Sequence, residues 1–406
     1  MIYLDNAATT KTDPEVVETM LPFFSGFYGN PSSVYAIAGK SKKAIADSRA
    51  SVARVIGAKS DEIYFTSGGS EADNWAVKAV FEALREKGKH IITSEIEHHA
   101  ILHTCEYLER EYGAEITYLK VDREGFVDPE DLEAAIRPDT ILVTIMAANN
   151  EIGTIEPIRE LAAIAHSHGV LFHTDAVQAF GQIPLNAEAD GFDLLSASAH
   201  KLNGPKGVGM LYISKNVKIG SFLHGGAQER QRRAGTENVP GIAGFGKAAE
   251  LAVERMEAKA EREEELRDHL YKLIREKITN VKLNGPAWDS DPVRRLPNNL
   301  NISVEFAAGE SMLIMLDMQQ ICASAGSACA SGSLSPSHVL KAIGLSDSLA
   351  RCTLRLTLSE ENTKEEMEET ADALAKIVTR LRRMSPRYEA FVKGDVGSEI
   401  DGVTKI

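Results

Sequence analysis

Residues 193–209 read DLLSASAHKLNGPKGVG, and this stretch decides how the rest of the chain is interpreted. The apolar run from Leu194 to Ala197 predicts a short buried strand, and Asn-Gly-Pro at residues 203–205 predict a turn after it. Lys201 stands between the strand and the turn, in the position where open α/β sheets bind ligands. A partly desolvated lysine amine at such a position can attack a carbonyl group. By itself the pattern also fits an ordinary lysine in a solvated loop.

A second apolar run, residues 171–178 (LFHTDAVQ), predicts another buried strand, and it ends in the carboxylate of Asp175. A lysine that bonds to an aldehyde and an aspartate that faces a pyridinium nitrogen are what a pyridoxal phosphate site requires. DAVQ followed by SASAHKLNGPKGVG resembles the fold-type I pyridoxal phosphate enzymes. The closest resemblance is to the cysteine desulfurases of the NifS/IscS type, within the class-V aminotransferases. It extends from Tyr3 to Leu381.

Strand and helix patterns alternate over residues 60–210, which predicts an α/β fold with a mainly parallel sheet covered by helices. The resemblance implies that this sheet has seven strands and that a smaller α+β domain follows. A chain of 406 residues exceeds what one hydrophobic core usually serves. We therefore expect a large cofactor-binding domain over residues 15–260 and a small domain built from residues 1–14 and 261–406, which carries the catalytic cysteine loop.

Two further expectations concern the carboxyl-terminal half. Residues 241–278 have a helical pattern without consistent apolar heptads, so we expect one long helix that links the two domains rather than a coiled coil. The tail from Pro386 onward carries glycines and scattered acidic residues. We expect this tail to be loosely ordered.

The segment TSGGSE at residues 66–71 follows a predicted strand and precedes a predicted helix. Such an arrangement directs backbone N–H groups and the positive end of the helix dipole at an anion. Ser70 is the expected N-cap of the helix. A capped helix after a tight turn would have the same pattern without any ligand. The resemblance implies that Gly69 and Ser70 hold the cofactor phosphate.

The resemblance also implies which other residues form the site. His98 would stack on the cofactor ring and move protons, and an imidazole that is neutral near pH 7 suits both tasks. Arg355 would bind the substrate carboxylate with its planar guanidinium, and Asn30 would contact the substrate. Further contacts to the cofactor are implied for Asn150, Gln178, Ser198 and His200. His99 and His103 are four residues apart, but no third ligand has a suitable spacing, so no intrinsic metal site is expected.

Residues 322–333 read CASAGSACASGS, and nearly every side chain in this stretch is small. We expect a mobile loop, in which a cysteine would be an accessible nucleophile. GSACASGSLSPSHVL resembles the NifS/IscS signature, which implies that Cys329 receives the sulfur. Cys329 is also a candidate for a transient iron–sulfur ligand. The cysteines at 105, 322 and 352 are assigned to structure.

Charge and composition exclude several classes of partner. The net charge of −14 argues against nucleic acid, and no apolar run approaches membrane-spanning length. The first residues, MIYLDNAATT, lack the features of a signal peptide, and four irregularly spaced cysteines are typical of reduced thiols. We therefore expect a cytoplasmic protein. The resemblance implies a homodimer in which Thr236 reaches the phosphate bound by the second subunit, and an iron–sulfur scaffold or another sulfur-acceptor protein as partner.

The activity that the resemblance implies is the removal of sulfur from L-cysteine, which gives alanine and a persulfide on Cys329. Lys201, His98 and Cys329 are the expected catalytic residues, with pyridoxal phosphate as the cofactor. A selenocysteine lyase or another class-V aminotransferase on the same fold is an alternative, and an assay of alanine and sulfide against keto acid separates the aminotransferase. A non-enzymatic pyridoxal-binding or scaffold-docking protein is a further alternative, which cysteine turnover would exclude.

Overall fold

The computed structural model describes residues 1–287, 294–325 and 336–400 of the chain. The strands are β1 (Ile2–Tyr3), β2 (Ile63–Thr66), β3 (His90–Ser94), β4 (Glu115–Leu119), β5 (Thr140–Thr144), β6 (Leu171–Asp175), β7 (Leu194–Ser198), β8 (Gly209–Ile213), β9 (Val281–Leu283), β10 (Asn299–Val304), β11 (Ile321–Cys322) and β12 (Thr353–Thr357).

The helices are α1 (Pro14–Met20), α2 (Pro22–Ser25), α3 (Ala36–Val55), α4 (Gly69–Leu84), α5 (His99–Tyr112), α6 (Pro129–Ala135), α7 (Ile158–Ser167), α8 (Ala187–Asp190), the single turn α9 (Gln228–Gln231), α10 (Val239–Lys277), α11 (Gly309–Asp317), α12 (His338–Ala342), α13 (Asp347–Ala350), α14 (Lys364–Arg383) and α15 (Pro386–Lys393). Short 3-10 turns lie at Ser60–Glu62 and Ala199–Lys201. No helix of the described residues is long and apolar enough to cross a lipid bilayer.

A seven-stranded sheet forms the centre of the molecule, in the order β2-β8-β7-β6-β5-β3-β4. Only β8 runs antiparallel to its neighbours in this sheet, β2 and β7. The pairs β7-β6, β6-β5, β5-β3 and β3-β4 are parallel. The α/β fold with a mainly parallel seven-stranded sheet is therefore confirmed.

Nearly every residue of the central strands is buried, which explains their continuous apolar runs. All five residues of β5 and of β7 are buried. One hydrophobic cluster joins the sheet to α3, α7 and α10, and another joins it to α4 and α5. Helices on both faces exclude water from the sheet, so that ligands reach these strands at their ends.

A smaller body lies beyond the first part of α10. The antiparallel sheet β12-β10-β9 packs with α11 and α14, and the short parallel pair β1-β11 brings the amino terminus to it. Its hydrophobic cluster contains Ile2 and Leu4 together with Leu266 and Leu270 of α10. The 39-residue helix α10 packs on α3 and also on α14. The domain boundaries at residues 14/15 and 260/261 stay a prediction.

Two local expectations are wrong. α4 begins at Gly69 with Gly68 as its N-cap, so Ser70 is inside the first turn and does not cap the helix. Residues from Pro386 onward are not loosely ordered throughout, because Ser385 caps α15 and the ring of Phe391 packs 4.9 Å from that of Phe306. Phe306 lies some 80 residues earlier in the chain, and a contact at that separation gives no periodic signal in the tail.

Candidate active site

A cavity of about 310 Å³ lies where β2, β3, β5, β6 and β7 end. It is lined by ten of the residues expected from the sequence: Gly69, Ser70, His98, Asn150, Asp175, Gln178, Ser198, His200, Lys201 and Arg355. Asn30 and Thr236 do not line it, and Cys329 lies outside the residues that the structure describes. The carboxyl ends of strands far apart in sequence therefore bring most of the expected site together.

Lys201 lies in the 3-10 turn that directly follows β7. Its Nζ donates hydrogen bonds to the backbone carbonyls of Ala7, at 2.5 Å, and Ala8, at 2.8 Å. The amino-terminal segment thus supplies acceptors for the ammonium group inside the cavity. Because strand β7 is fully buried, the backbone that carries Lys201 is held in a fixed position.

Asp175 is the last residue of β6, and its carboxyl group is almost fully buried. The carboxylate accepts a hydrogen bond from Val177 N at 2.9 Å. Burial raises the pKa of Asp175 to about 6, while this hydrogen bond and the charge of Lys201 act in the opposite direction. Asp175 thus lines the cavity with a buried carboxyl group whose charged form is favoured by Val177 N and Lys201 and disfavoured by burial.

His98 is the N-cap of α5, and its Nδ1 accepts a hydrogen bond from Ala100 N at 3.1 Å. Burial lowers the pKa of His98 to about 4, and the nearby His99 and Lys201 add to this effect. The imidazole is therefore neutral at pH 7. Since Nδ1 is an acceptor, the proton of the neutral ring is on Nε2.

The turn from β2 into α4 brings backbone against the wall of the cavity. A Cβ atom on Gly69 would lie 2.5 Å from Cγ2 of Val177, so this approach requires glycine. The N-cap Gly68 has no side chain to bond the first N–H groups of the helix. These N–H groups lack intrahelical acceptors and point out of the N-terminus of the helix, where they would stabilise an anion.

The remaining polar residues of the cavity are held by neighbouring backbone and side chains. Gln178 Nε2 donates to the carbonyl of Ala7 at 3.0 Å, and His200 Nδ1 is 3.1 Å from the hydroxyl of Thr9. Ser198 is the buried last residue of β7. Asn150 follows β5 and lines the cavity, and its backbone carbonyl accepts a hydrogen bond from Arg355 Nη1.

Arg355 reaches the cavity from β12 and is only 2% exposed. Its Nη2 donates to Asp5 Oδ1 at 3.0 Å and its Nη1 to Asn150 O at 3.1 Å. The buried Nε makes no hydrogen bond to any residue that the structure describes. Two of the five N–H donors of the guanidinium group make these bonds, which leaves three, and Asp5 already shares the charge of the group.

Sequence reasoning missed several groups at this site. Asp73 lines the cavity from the inner face of α4, and its Oδ1 has no hydrogen-bond partner among the described residues. The signal was an acidic residue one turn after Gly69, on a helix face that is otherwise apolar. The carbonyls of Ala7 and Ala8 had no signal, because backbone atoms carry no residue type.

Asn30 and Thr236 are both exposed on the surface of the chain. The side chain of Asn30 accepts a hydrogen bond from Ser32 N at 2.9 Å, as in an ordinary turn.

The rings of His99 and His103 stack with their centroids 4.9 Å apart. The described part of the chain contains no group of three or more His, Cys, Asp or Glu side chains that could hold a metal ion.

The model of the aminotransferase class-V family matches residues 2–369. The chain belongs to this family. A cysteine desulfurase IscS from Dictyoglomus turgidum is 54% identical over 385 residues, which are 95% of this chain and 96% of that protein. A solved structure named NifS-like protein has a TM-score of 0.87 at 38% identity, covering 93% of this chain and 99% of its own. These relatives assign the chain to the cysteine desulfurases among the class-V aminotransferases.

A third similar protein is a complex with cysteine. The structure named SspA in complex with cysteine has a TM-score of 0.79 at 36% identity, and the match covers 89% of this chain and 100% of that one.

Class-V aminotransferases depend in general on pyridoxal phosphate, and the cavity of this family member fits that group. The phosphate matches the N-terminus of α4. A Cβ atom at position 69 would collide there with Val177, so the backbone has no side chain at this point. The pyridine ring matches the space beside His98, and its nitrogen matches the buried carboxylate of Asp175. The amine of Lys201 lines the same cavity and matches the aldehyde. The donor set therefore suits an anionic, pyridine-based aldehyde.

Proposed function

We propose that the chain removes sulfur from L-cysteine, with pyridoxal phosphate as its cofactor and Cys329 as the sulfur acceptor. The observation that carries this proposal is that Lys201, Asp175 and His98 line one cavity in a chain that is 54% identical to a cysteine desulfurase. The same identity favours a desulfurase over another class-V aminotransferase or a non-enzymatic binding protein.

The roles of the residues follow from their positions. Pyridoxal phosphate, when bound, supplies an electron-accepting ring that stabilises negative charge on the substrate α-carbon. Asp175 supplies the carboxylate that would face a protonated ring nitrogen of the cofactor. Lys201 first holds the cofactor and then, as a free amine, removes the α-proton of the substrate. Arg355 binds the substrate carboxylate through N–H donors that Asp5 and Asn150 leave unused.

Cys329 carries out the sulfur transfer in this proposal. Its thiolate attacks Sγ of the substrate, so a sulfur–sulfur bond forms as the carbon–sulfur bond of the substrate breaks. The electron pair of the broken bond stays on the carbon skeleton, which takes up a proton and leaves as alanine. The neutral imidazole of His98, with its proton on Nε2, is suited to moving protons during these steps.

We also propose that the functional unit is a homodimer. Thr236 is exposed and does not line the cavity of its own chain, as expected of a residue that serves a second subunit. A group of exposed apolar side chains close together in the sequence supports this proposal, since exposed apolar surface marks protein interfaces. It comprises Val17, Leu21, Phe24, Phe27, Tyr28, Val34 and Tyr35, all of which are exposed. The substrate role of Asn30, which lies in the same segment, stays a prediction.

The sulfur of the persulfide would pass to an acceptor protein, and we propose an iron–sulfur scaffold as that acceptor. The cytoplasmic location stays a prediction as well.

The experiment that tests the proposed activity replaces Lys201. Lys201→Ala should lose both the covalent bond to pyridoxal phosphate and the formation of alanine from L-cysteine. The exposed lysine at position 206 provides a matched control, and Lys206→Ala should keep both. Covalently bound cofactor is measured by mass after borohydride reduction, and alanine is measured by amino-acid analysis. A Lys201→Ala protein that still carries reducible cofactor and forms alanine would refute the assignment.

A further inference from the structure

Three consecutive residues of the loop 224–236 adopt the left-handed conformation. They are Glu229, Arg230 and Gln231, with φ values of 43°, 56° and 68°, and none of them is glycine. Residues with a Cβ atom normally visit this region singly, since their side chain crowds the following carbonyl. Such a run persists only where surrounding contacts fix it, and these sites are often functional.

The contacts that fix the run centre on the carboxylate of Glu229, which is 5% exposed. Arg49 of α3 donates to it from Nη1 and Nη2, both at 2.7 Å, and Phe65 N of β2 donates at 3.0 Å. Arg49 is also buried, and its Nη1 donates to Ile63 O at 2.7 Å. One ion pair therefore ties the left-handed turn to a helix and to a strand at the same time.

The residues after Glu229 contact β2 and the first turn of α4. Arg230 lies 4.1 Å from the ring centroid of Tyr64 and donates to Ile63 O at 2.6 Å. Arg233 donates from Nε and Nη2 to Glu71 in the first turn of α4, at 2.7 and 3.0 Å. Glu71 in turn accepts from Ser67 N at 2.8 Å. The loop thus contacts the turn that is expected to bind phosphate. The exposed Thr236 lies three residues after Arg233.

We propose that Arg49 and Glu229 are positioning residues: their ion pair holds the left-handed turn and so sets where Thr236 lies at the phosphate site of a second subunit. This inference rests on the proposed homodimeric, pyridoxal phosphate-dependent function. A buried ion pair is a poor means of stabilisation alone, because desolvation of the two charges offsets their attraction. Its directional hydrogen bonds instead specify one geometry of the loop.

Glu229→Gln tests the ion pair, with the affinity of the dimer for pyridoxal phosphate as the readout. We expect the dissociation constant to rise by about tenfold, while sedimentation still gives a dimer. Arg382→Met is the matched control, because Arg382 is a buried arginine of the smaller body that binds the carbonyls of Thr279 and Glu305. That control should lower the melting temperature and leave the cofactor affinity unchanged. Parental affinity in Glu229→Gln would overturn the inference.

A second pair of variants alters the turn and leaves the ion pair intact. Gln231 is exposed, so changes there do not disturb the core. Gln231→Val makes the left-handed conformation less favourable and should weaken cofactor binding, whereas Gln231→Gly should bind at least as tightly as the parent. Equal affinities for the valine and glycine variants would contradict the inference, even if Glu229→Gln failed to fold.

A mixed dimer distinguishes action across the interface from action within one chain. One subunit carries Glu229→Gln, and the other carries Lys201→Ala with its own loop intact. The Glu229→Gln subunit then receives Thr236 from an intact loop, so its borohydride-reducible cofactor should be bound with parental affinity. Affinity as weak as in the Glu229→Gln homodimer would overturn the inference. The proposed function fails separately, if the parental protein forms no alanine from L-cysteine.

Discussion

At the scale of single residues, burial decides the protonation of the groups around the cavity. Glu97, directly before His98, is fully buried, and its carboxylate accepts from Ser94 Oγ and Met146 N, both at 2.8 Å. Burial raises the pKa of Glu97 to about 8, against these hydrogen bonds. The sequence shows that residue 97 is acidic, but the pKa of this residue depends on how β3 and β5 pack together.

A pH-dependent stability follows for Glu97. Its folded-state pKa lies above the ordinary value, so its contribution to stability is complete below pH 4.5 and is lost as the pH rises to about 8. Glu97→Gln cannot ionise and retains an oxygen that accepts both hydrogen bonds. Relative to the parent, we expect the variant to gain roughly 1 to 3 kcal/mol in free energy of unfolding between pH 5 and pH 8.

Urea unfolding from pH 5 to pH 9 measures this difference, and Glu95→Gln, on the half-buried residue two positions earlier, is the control. Parallel pH profiles for the parent and Glu97→Gln would show that Glu97 is ionised in the folded protein across this range.

At the scale of elements, the strand–turn–helix pattern around TSGGSE predicted the right succession but the wrong N-cap. The residue types alone do not indicate that Gly68, with φ 158°, ends the extended segment. They also do not indicate that Gly69 approaches Val177, which follows β6. Both depend on how the turn sits against the end of β6. The glycines thus had a role that the local sequence did not reveal.

Gly69→Ala should weaken cofactor binding because the added Cβ atom would be 2.5 Å from Cγ2 of Val177. The wall of the cavity must then move, and we expect a loss of about tenfold in affinity for pyridoxal phosphate. Val177→Ala in the same chain removes the colliding methyl group and should restore part of the affinity. Gly220→Ala is the control, since no atom lies within 4 Å of a Cβ atom built there.

Fluorescence titration of the parent and the three variants with pyridoxal phosphate measures the affinities. The role assigned to Gly69 is refuted if the single variant binds as tightly as the parent.

At the scale of the whole molecule, the alternation of strand and helix patterns predicted the fold and placed Lys201 and Asp175 at strand ends, and the resemblance to the NifS/IscS desulfurases implied most of the other residues of the cavity. Three kinds of feature were out of reach. The helix α15 depends on a distant contact with Phe306, and the acceptors for Lys201 are backbone atoms of Ala7 and Ala8. The third is the placement of Asn30 and Thr236, which do not line the cavity of one chain and whose expected roles stay predictions.

Dilution tests the proposed dimer. If Thr236 contributes to the phosphate site of the other subunit, dissociation into monomers should release cofactor and abolish cysteine turnover. Sedimentation at decreasing protein concentration, combined with absorbance of the bound cofactor and alanine assays, would follow both events. Thr236→Ala should release cofactor at higher protein concentration than the parent does. A monomer with full cofactor and full activity would contradict the dimeric site.

The most direct test of the proposed reaction is sulfur transfer by Cys329→Ser. A serine hydroxyl is almost never ionised at pH 7 and is a poor sulfur nucleophile compared with a thiolate, so the reaction should stop after the cofactor and L-cysteine have bound. The controls are Cys105→Ser, Cys322→Ser and Cys352→Ser. Burial raises the pKa values of the Cys105 and Cys352 thiols, which disfavours their thiolates.

Each variant is mixed with L-cysteine, and released alanine and protein-bound sulfane sulfur are measured over time. We predict that Cys329→Ser binds pyridoxal phosphate as the parent does but forms neither alanine nor protein-bound sulfane sulfur, while the three controls keep most of the activity. Alanine formation by Cys329→Ser at the parental rate would contradict the account, because sulfur would then leave the substrate without attack by this cysteine.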